Sequence, residues 1–460
     1  MHKIKIILII MLWLSISINL FSQNKYHRII WDHDPAHNAI IGFSPEGSST
    51  DPYINYGYST DESTWSRAEL SASRNFDGLT NNFIRLNGLI ADSPIYFRVC
   101  DDSGCGEYFW FRTAPIDNSP FVVVAGGDTR TGWNTRRKAN ALIAKVRPLF
   151  IMHGGDFTSN NSASGWEQFF KDWELSYSHD SINGTTYKRI YPLVPTHGNH
   201  ENGDYSTLCK VFGADYNQDG ICSDEDTYGA VNISPLLRVY VLNTEYQNSG
   251  WSSYATHMNN WFTDDLNAHG TEVSWRIAEY HKPIFPHHAS KSENPTLYSW
   301  WADMFYQKKM NLVIESDSHV YKTTKVLKPV GGDFIDTPAG GTIYTGEGSW
   351  GAPVRTADDP KSWTLDMASI QQFKVITVRP DRLDVRTAQF DESATTLTRD
   401  ERMQNRTSLP LAINWWFIND IGENLVLTHN TSGQTIMQED NNDKYKIMAI
   451  IIAAVLFPLL

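Results

Sequence analysis

The sequence predicts an N-terminal all-β sandwich followed by an α/β domain of stacked β-sheets flanked by helices. Two observations lead to this fold class. Residues from about 25 to 115 contain β-type runs separated by Ser, Asp, Gly and Pro, with no helical period. From Phe121 to about Phe390, apolar strands alternate with segments of helical pattern such as "TRRKANALIAKV". A length of 460 residues also fits two or three domains of ordinary size.

The first 22 residues have the pattern of a secretory signal peptide. Lys3 and Lys5 form a short basic start, an apolar run extends to about Leu20, and the small residue Ser22 fits a cleavage point. The alternative is an uncleaved membrane anchor. We therefore expect a secreted or extracytoplasmic protein.

Four cysteines form two pairs that are close in sequence, Cys100 with Cys105 and Cys209 with Cys222. An even number of cysteines in a secreted chain predicts two disulfides, although four cysteines allow three pairings. We expect the first pair to close the tip of a hairpin.

The β-rich region over residues 25–115 has the strand spacing of an antiparallel sandwich. Its stretch "RLNGLIADSPIYFRVCDDSGCGEYFWFRTAP" resembles the second half of a fibronectin type III domain. A short linker over residues 115–119 should lead into the α/β domain, which we expect over residues 118–390.

The net charge of −13 disfavours a nucleic-acid partner, because proteins that neutralise phosphates need a basic surface. An acidic protein can still bind a phosphorylated small molecule where bound cations supply positive charge locally. The charge therefore excludes one class of partner and leaves phosphorylated small molecules open.

Polar side chains follow five successive apolar segments of the predicted α/β domain. The segments "FVVVAGG", "LFIMHGG", "YPLVPTHG", "WRIAEY" and "NLVIES" lead in turn to Asp128, to Asp156, to Asn199 and His200, to His281, and to Asp317 and His319. In open α/β sheets, ligands bind just beyond the carboxyl ends of the strands. One such residue alone is usually structural, but a set of carboxylates, an amide and imidazoles predicts a centre for divalent zinc, manganese or iron.

This set resembles the calcineurin-like metallophosphoesterases. The segment "GNHE" after a strand is the most specific piece. The segment "AEYHKPIF" and the fibronectin-like region before the α/β domain resemble the purple acid phosphatase branch of that family. The resemblance covers residues from about 25 to 390.

The resemblance implies two divalent metal ions held by six side chains. They are Asp156 as the bridge, Asp128 and His319 at the first metal, and Asn199, His281 and Asp317 at the second. Two such cations clamp a phosphoryl group and lower the pKa of a bound water, so that a metal-bound hydroxide attacks phosphorus in line. The implied activity is hydrolysis of a phosphate ester, as in an acid phosphatase.

Other residues near these motifs are candidates for substrate contact. We expect His200 to contact the leaving oxygen as a hydrogen-bond donor or general acid, with Glu201 orienting it. The guanidinium of Arg130 suits a phosphate or a carboxylate. His287 and His288 follow a further apolar segment and are candidates for the substrate pocket, although surface histidines are an equally good interpretation.

The chain departs at three positions from patterns found in the wider family or in its purple acid phosphatase branch. Ser159 stands where the purple enzymes have a tyrosine ligand, so the purple colour should be absent. Arg130 stands where many relatives outside the purple branch have a histidine. Asp317 replaces the first histidine of the last Gly-His-x-His motif and should favour a harder cation. These changes either retune the metal centre or mark a loss of catalysis.

The segment "DYNQDGICSDED", residues 215–226, has the spacing of a calcium-binding loop. The predicted ligands are Asp215, Asn217, Asp219, the carbonyl of Ile221 and Asp226. Aspartate replaces the glutamate that usually ends such a loop, which weakens the fit. The alternative is an acidic loop tied by a Cys209–Cys222 disulfide, so a structural calcium ion is an expectation here.

The chain ends with a polar region, residues 391–446, and an apolar run over residues 447–460. This run is short for a membrane helix, which needs roughly 20 residues. Small residues, a polar spacer and an apolar tail resemble a lipid-anchor signal. Membrane or cell-surface attachment through the tail is therefore an alternative to a free secreted protein.

The sequence leaves three functions open. Hydrolysis of a phosphate monoester is favoured over hydrolysis of a diester. A phosphodiesterase or nucleotide pyrophosphatase would use the same centre. A non-catalytic binding protein would keep the fold with altered metal sites.

Overall fold

The computed structural model of the protein describes residues 24–47, 50–430 and 434–438. The predicted signal peptide and the predicted apolar tail lie outside the described residues.

The described residues form 27 strands: β1 (Asn24–Ile30), β2 (Ala39–Pro45), β3 (Tyr53–Gly57), β4 (Ser66–Glu69), β5 (Ala72–Phe76), β6 (Leu79–Leu86), β7 (Pro94–Asp101), β8 (Gly104–Cys105), β9 (Tyr108–Arg112), β10 (Phe121–Gly126), β11 (Phe150–His153), β12 (Ser178–Ile182), β13 (Thr185–Arg189), β14 (Leu193–Pro195), β15 (Gly229–Ser234), β16 (Leu237–Val241), β17 (Trp275–Glu279), β18 (Leu312–Glu315), β19 (Tyr321–Thr324), β20 (Leu327–Val330), β21 (Asp333–Asp336), β22 (Ile343–Gly346), β23 (Thr364–Ala368), β24 (Gln372–Val378), β25 (Arg382–Gln389), β26 (Leu425–His429) and β27 (Thr435–Gln438).

The α-helices within the same ranges are α1 (Trp133–Val146), α2 (Ala163–Trp173), α3 (Thr207–Phe212), α4 (Ser252–His269), α5 (Pro295–Gln307) and α6 (Arg399–Gln404). Short 3₁₀ turns occur at Glu62–Thr64, Glu174–Ser176, Asn199–Glu201 and Thr244–Gln247. None of the helices in the described part of the chain is long and apolar enough to cross a membrane.

Three large sheets organise the fold. The first sheet has the strand order β27-β26-β25-β24-β10-β11-β14-β1-β2-β6-β5. The second has the order β12-β13-β9-β7-β3-β4, with β8 paired to β7, and the third has the order β15-β16-β17-β18-β22-β19-β23. A β-rich N-terminal region followed by a domain of stacked sheets and helices confirms the predicted fold class.

The N-terminal strands and the later strands share sheets. In the first sheet, β1 runs parallel to β14 with Ile30 opposite Leu193, and in the second, β13 runs parallel to β9. The polar region after residue 391 also contributes, because β26 and β27 extend the first sheet beyond β25. Backbone hydrogen bonds therefore join strands that precede the expected linker, residues 115–119, to strands that follow it.

The third sheet is buried on both faces. Along β18, Leu312 and Ile314 lie in the same core as β10 of the first sheet, whereas Val313 points to the other face and packs in the core of α4 and α5. Alternate residues of a strand point to opposite faces, so a continuous apolar run is what this position requires. The third sheet thus lies between the first sheet and these two helices.

Both predicted disulfides are present. Cys100–Cys105 joins β7 to β8, and Cys209–Cys222 joins α3 to the acidic loop that follows it.

Candidate metal centre

Two sets of parallel strands deliver the candidate ligands to one region. β10, β11 and β14 run parallel in the first sheet, and β17 and β18 run parallel in the third. Each candidate ligand follows the carboxyl end of one of these strands. The stacking of the two sheets therefore brings together residues that lie far apart in sequence.

The backbone is strained at four of the candidate ligands. The φ angles are positive at Asp128 (63°), Asp156 (57°), Asp317 (69°) and His319 (55°). Non-glycine residues rarely adopt this left-handed conformation, and such strain concentrates at functional sites. The strain aims these side chains out of the strand direction and toward one another.

Asp128, Asp156 and His319 form a buried group whose ligand atoms all lie within 4.8 Å of one another. His319 Nε2 is 3.1 Å from Asp128 Oδ1. The Nδ1 atom of His319 lies 3.1 Å from the Pro353 carbonyl, which accepts its hydrogen and leaves Nε2 to face the carboxylates. This group contains the three ligands predicted to share the first metal.

His281 lies at the second half of the centre. Its Nδ1 donates to the Gly154 carbonyl at 2.7 Å, and its Nε2 is 3.2 Å from Asp156 Oδ1. The Asn199 side-chain amide is also 3.2 Å from this nitrogen, and Asp317 Oδ1 is 3.7 Å from it. The structure therefore brings all six predicted ligands together.

Asp156 connects the two halves. One of its oxygens faces His281, and the same carboxylate belongs to the group of Asp128 and His319. Its left-handed turn is held by the buried carboxylate of Glu201, which accepts the backbone N–H groups of Asp156 (2.9 Å), Phe157 (3.1 Å) and Gly198 (2.9 Å). Glu201 thus positions Asp156, whereas the sequence led us to expect that it orients the ring of His200.

The ionisation of these groups follows from burial and close charge. Burial lowers the pKa of His281, but the charge of Asp156 outweighs it and raises that pKa to about 10. Burial raises the pKa of Asp156, and the opposing charge of His281 brings it well below its ordinary value. Burial and the charge of Asp156 raise the pKa of Glu201 to about 8. The converging carboxylates therefore attract positive charge strongly.

The donor set fits divalent cations. It combines three carboxylates, one amide and two imidazoles whose Nδ1 atoms are held by carbonyl groups. Asp128 Oδ1 is buried and accepts no hydrogen bond from the described residues. Mixed oxygen and imidazole ligands suit zinc, manganese or iron, and outer hydrogen bonds of this kind fix the ligand nitrogen.

Arg130 and His200 both border the ligand group. Arg130 Nε donates to Asp156 Oδ2 at 3.2 Å, and its Nη2 lies 3.2 Å from His319 Nε2. His200 donates from Nδ1 to the Ser159 carbonyl at 2.6 Å, and its Nε2 lies 3.7 Å from Asp156 Oδ2. The structure thus places both residues beside Asp156.

The structure does not bring His287 or His288 to the ligand group. His287 is fully buried, with Nδ1 3.0 Å from Glu347 Oε1 and Nε2 2.7 Å from Thr364 Oγ1. The Ser290 hydroxyl lies 2.7 Å from His288 Nε2, and His288 Nδ1 donates to the Thr356 carbonyl at 2.8 Å. Their apolar neighbours in sequence gave no information on which way these side chains point.

Two cationic residues at the centre have no motif that predicts them. Lys291 Nζ lies 2.7 Å from each carboxylate oxygen of Asp317, and Arg355 Nη1 donates to the Asp317 carbonyl at 2.8 Å. Both residues come from irregular segments of the chain, where no periodicity or spacing links them to Asp317.

A buried cluster of charged side chains lies at the strand ends of the third sheet. Lys322 is 2% exposed and lies 2.6 Å from Glu315 and 2.7 Å from Glu347. Glu347 also contacts the ring of His287, and Tyr280 donates to Glu315 at 2.8 Å. Burial opposes ionisation of Glu347, but the charge of Lys322 lowers its pKa to about 2. This cluster joins β18, which leads to Asp317, to β22.

The stacked sheets bring together a buried group of carboxylates and an imidazole whose donor atoms fit divalent cations. Residues 110–321 match the family model of the calcineurin-like phosphoesterases. No curated protein is significantly similar to the chain in sequence.

Two solved structures resemble the fold over most of the chain. A purple acid phosphatase from seeds of yellow lupin (Lupinus luteus) is 14% identical, with a TM-score of 0.65 over 83% of this chain and 76% of that one. The structure of PhoD is 10% identical, with a TM-score of 0.58 over 82% of this chain and 90% of that one. At these identities the similarity shows the fold alone.

Proposed function

We propose that this protein is a secreted phosphoesterase that hydrolyses phosphate monoesters with two divalent cations at the centre described above. The family match supports a metal-dependent phosphoester hydrolase. One observation carries the finer proposal: Asp156 faces His281 with one oxygen and also belongs to the group of Asp128 and His319. A single buried carboxylate between two ligand groups is what a dinuclear centre requires.

Asp128, Asp156 and His319 would hold one cation, and Asp156, Asn199, His281 and Asp317 the other. Bound cations of this kind act as Lewis acids on phosphoryl oxygens and make water a stronger nucleophile. Zinc, manganese and iron are the candidates, because the donors are carboxylate, amide and imidazole.

The surrounding residues supply orientation and proton transfer. The ring of His200 is fixed by the Ser159 carbonyl through Nδ1, which leaves Nε2 free to donate a proton to the leaving oxygen. Arg130 provides several N–H donors at the edge of the ligand group, and such a fork suits the oxygens of a phosphoryl group. Glu201 keeps the bridging carboxylate in place through three backbone hydrogen bonds.

A second candidate is a non-catalytic binding protein on the same fold. The observation in its favour is the contact of Lys291 with both oxygens of Asp317. The ammonium group of Lys291 neutralises Asp317, the residue that stands where the resembled family has a histidine. Such a protein would hold one cation or none.

One experiment separates these functions. Metal content by mass spectrometry is measured on the purified protein together with turnover of p-nitrophenyl phosphate and bis-p-nitrophenyl phosphate. About two transition-metal ions per chain, with faster monoester turnover, supports the proposal. Faster diester turnover would make the protein a phosphodiesterase. Protein that stays inactive when zinc, manganese and iron are supplied would exclude the hydrolase.

The matched variants are Asp156→Asn and Asp265→Asn. Asp156→Asn should lose metal and activity together, because it weakens both ligand groups. Asp265 pairs with Arg238 outside the centre, so Asp265→Asn should keep the metal and the activity.

A further inference from the structure

Two buried carboxylate oxygens in the acidic loop after α3 have no hydrogen-bond partner. Asp226 is fully buried and Asp215 is 8% exposed, and Oδ1 of each accepts no hydrogen bond within the described part of the chain. Buried charged groups without partners are costly, so such atoms call for a ligand. Neither atom belongs to the phosphoesterase centre.

The loop holds both carboxylates by their other oxygen. Gly220 N–H donates to Asp215 Oδ2 at 3.2 Å, and Ser223 N–H donates to Asp226 Oδ2 at 2.7 Å. Each carboxylate is therefore fixed by the loop backbone while its Oδ1 atom stays available. Gly220 adopts a φ of 75°, the left-handed conformation that the turn of a calcium loop needs.

Negative charge in this loop is only partly balanced. Asp215, Asp219 and Asp226 place three carboxylates within twelve residues of the chain. Arg85 Nη2 lies 3.9 Å from Asp215 Oδ2, but its guanidinium donates two hydrogen bonds to Asp32. A divalent cation would relieve the repulsion among the three carboxylates.

We propose that residues 215–226 bind one calcium ion through oxygen ligands. The ligands are the side chains of Asp215, Asn217, Asp219 and Asp226 and the carbonyl of Ile221. Calcium is the cation that takes many oxygen ligands in flexible geometry, and the spacing of these residues is that of a twelve-residue calcium loop. The Cys209 and Cys222 sulfurs near Asp226 are joined in a disulfide, which makes them poor ligands.

The ion would have a structural role next to the phosphoesterase centre. Tyr216 donates from its hydroxyl to the Pro195 carbonyl at 2.7 Å, at the end of the strand that leads to Asn199 and His200. Asp215 N–H donates to Asp32 Oδ2 at 3.1 Å, just after β1. The three loop carboxylates do not form a group within 4.8 Å in this structure, so the ion would draw the loop together.

The test compares the wild-type protein, Asp226→Asn and Asp224→Asn as full chains. Calcium chloride is titrated by calorimetry into protein whose phosphoesterase centre is loaded with zinc, and the Tm is measured with calcium and with a calcium chelator. We expect one calcium ion per wild-type chain and a Tm several degrees higher with calcium. Asp224 is not a predicted ligand, so Asp224→Asn should keep both properties.

Asp226→Asn should bind calcium at least tenfold more weakly and lose the Tm increase. Because this variant removes a buried and repelled charge, its Tm in chelator should equal or exceed that of the wild type. Equal calcium affinity in wild type and Asp226→Asn would overturn the proposal, as would a wild-type Tm that calcium leaves unchanged. Asp219→Asn, at an exposed position, provides a second variant with the same expected loss of binding. Neither result depends on phosphatase activity.

Discussion

The ammonium group of Lys291 lies 2.7 Å from both carboxylate oxygens of Asp317. A cation of the chain itself therefore competes for a candidate metal ligand. A hydrogen bond between charged groups contributes about 1.5–3 kcal/mol, which corresponds to roughly tenfold or more in affinity. We expect Lys291→Met to retain more of the second metal ion after dialysis against a chelator, as measured by mass spectrometry.

The control for this prediction is Lys361→Met. Lys361 is also a partly buried lysine with two carboxylate partners, Glu293 and Asp359, but it lies outside the ligand group. The Lys361→Met variant should therefore retain as much metal as the wild type. If Lys291→Met instead loses metal, Lys291 positions Asp317 and does not compete for it.

His200→Ala should reduce kcat by about 10²–10⁴-fold, the usual contribution of a general acid. The metal content should change little, because the ring bonds the Ser159 carbonyl and lies 3.7 Å from the nearest Asp156 oxygen. Steady-state kinetics and metal analysis on the same sample test both statements. His269→Ala is the matched control and should keep kcat, since His269 pairs with Glu272 at an exposed position at the end of α4. Full activity of His200→Ala would assign proton transfer to another group.

The candidate ligands could be identified because each one follows the carboxyl end of a strand, with Asp317 and His319 both following β18. The apolar run before Asp128, for example, fixes both the strand and its carboxyl end, and parallel neighbours place these ends at one edge. The local sequence therefore contains the information needed to place these residues at one edge of the sheet. The resemblance to a known family implied how these ligands would be divided between two metal ions.

Other parts of the molecule depend on contacts that no local pattern records. β1 and β14 pair although they are separated by more than a hundred residues, so the continuity of the first sheet could not be deduced. Lys291 and Arg355 reach Asp317 from irregular segments. His287 follows an apolar segment like a pocket residue, yet the buried Glu347 draws its ring into the interior.

Lys322→Met should destabilise the fold by about 3–5 kcal/mol, because it leaves two buried carboxylates without their cation. Lys322 is 2% exposed and lies within 2.7 Å of both Glu315 and Glu347. Denaturant unfolding at neutral pH gives the change in free energy of unfolding. Lys325→Met is the control: Lys325 pairs with Asp336 at the surface, where such a pair contributes about 0–1 kcal/mol. Equal stability of the two variants would contradict the prediction.

His27 should make the fold sensitive to acid. Burial, with the positive charges of Lys188 and Arg28, lowers its pKa from 6.5 to about 3. Between these values the unfolded chain binds a proton at this residue and the folded chain does not, so stability falls as the pH decreases below about 6.5. The slope is about 1.4 kcal/mol per pH unit for one group, which gives a loss of about 2 kcal/mol at pH 5.

His27→Gln removes this titration, and its free energy of unfolding should therefore decrease less between pH 7 and pH 5 than that of the wild type. Denaturant unfolding in a chelator at both pH values measures the difference without a contribution from bound metal. His179→Gln, at an exposed position, should follow the wild type. Parallel losses in wild type and His27→Gln would mean that His27 takes up its proton within the folded protein, and that another buried group sets the acid limit.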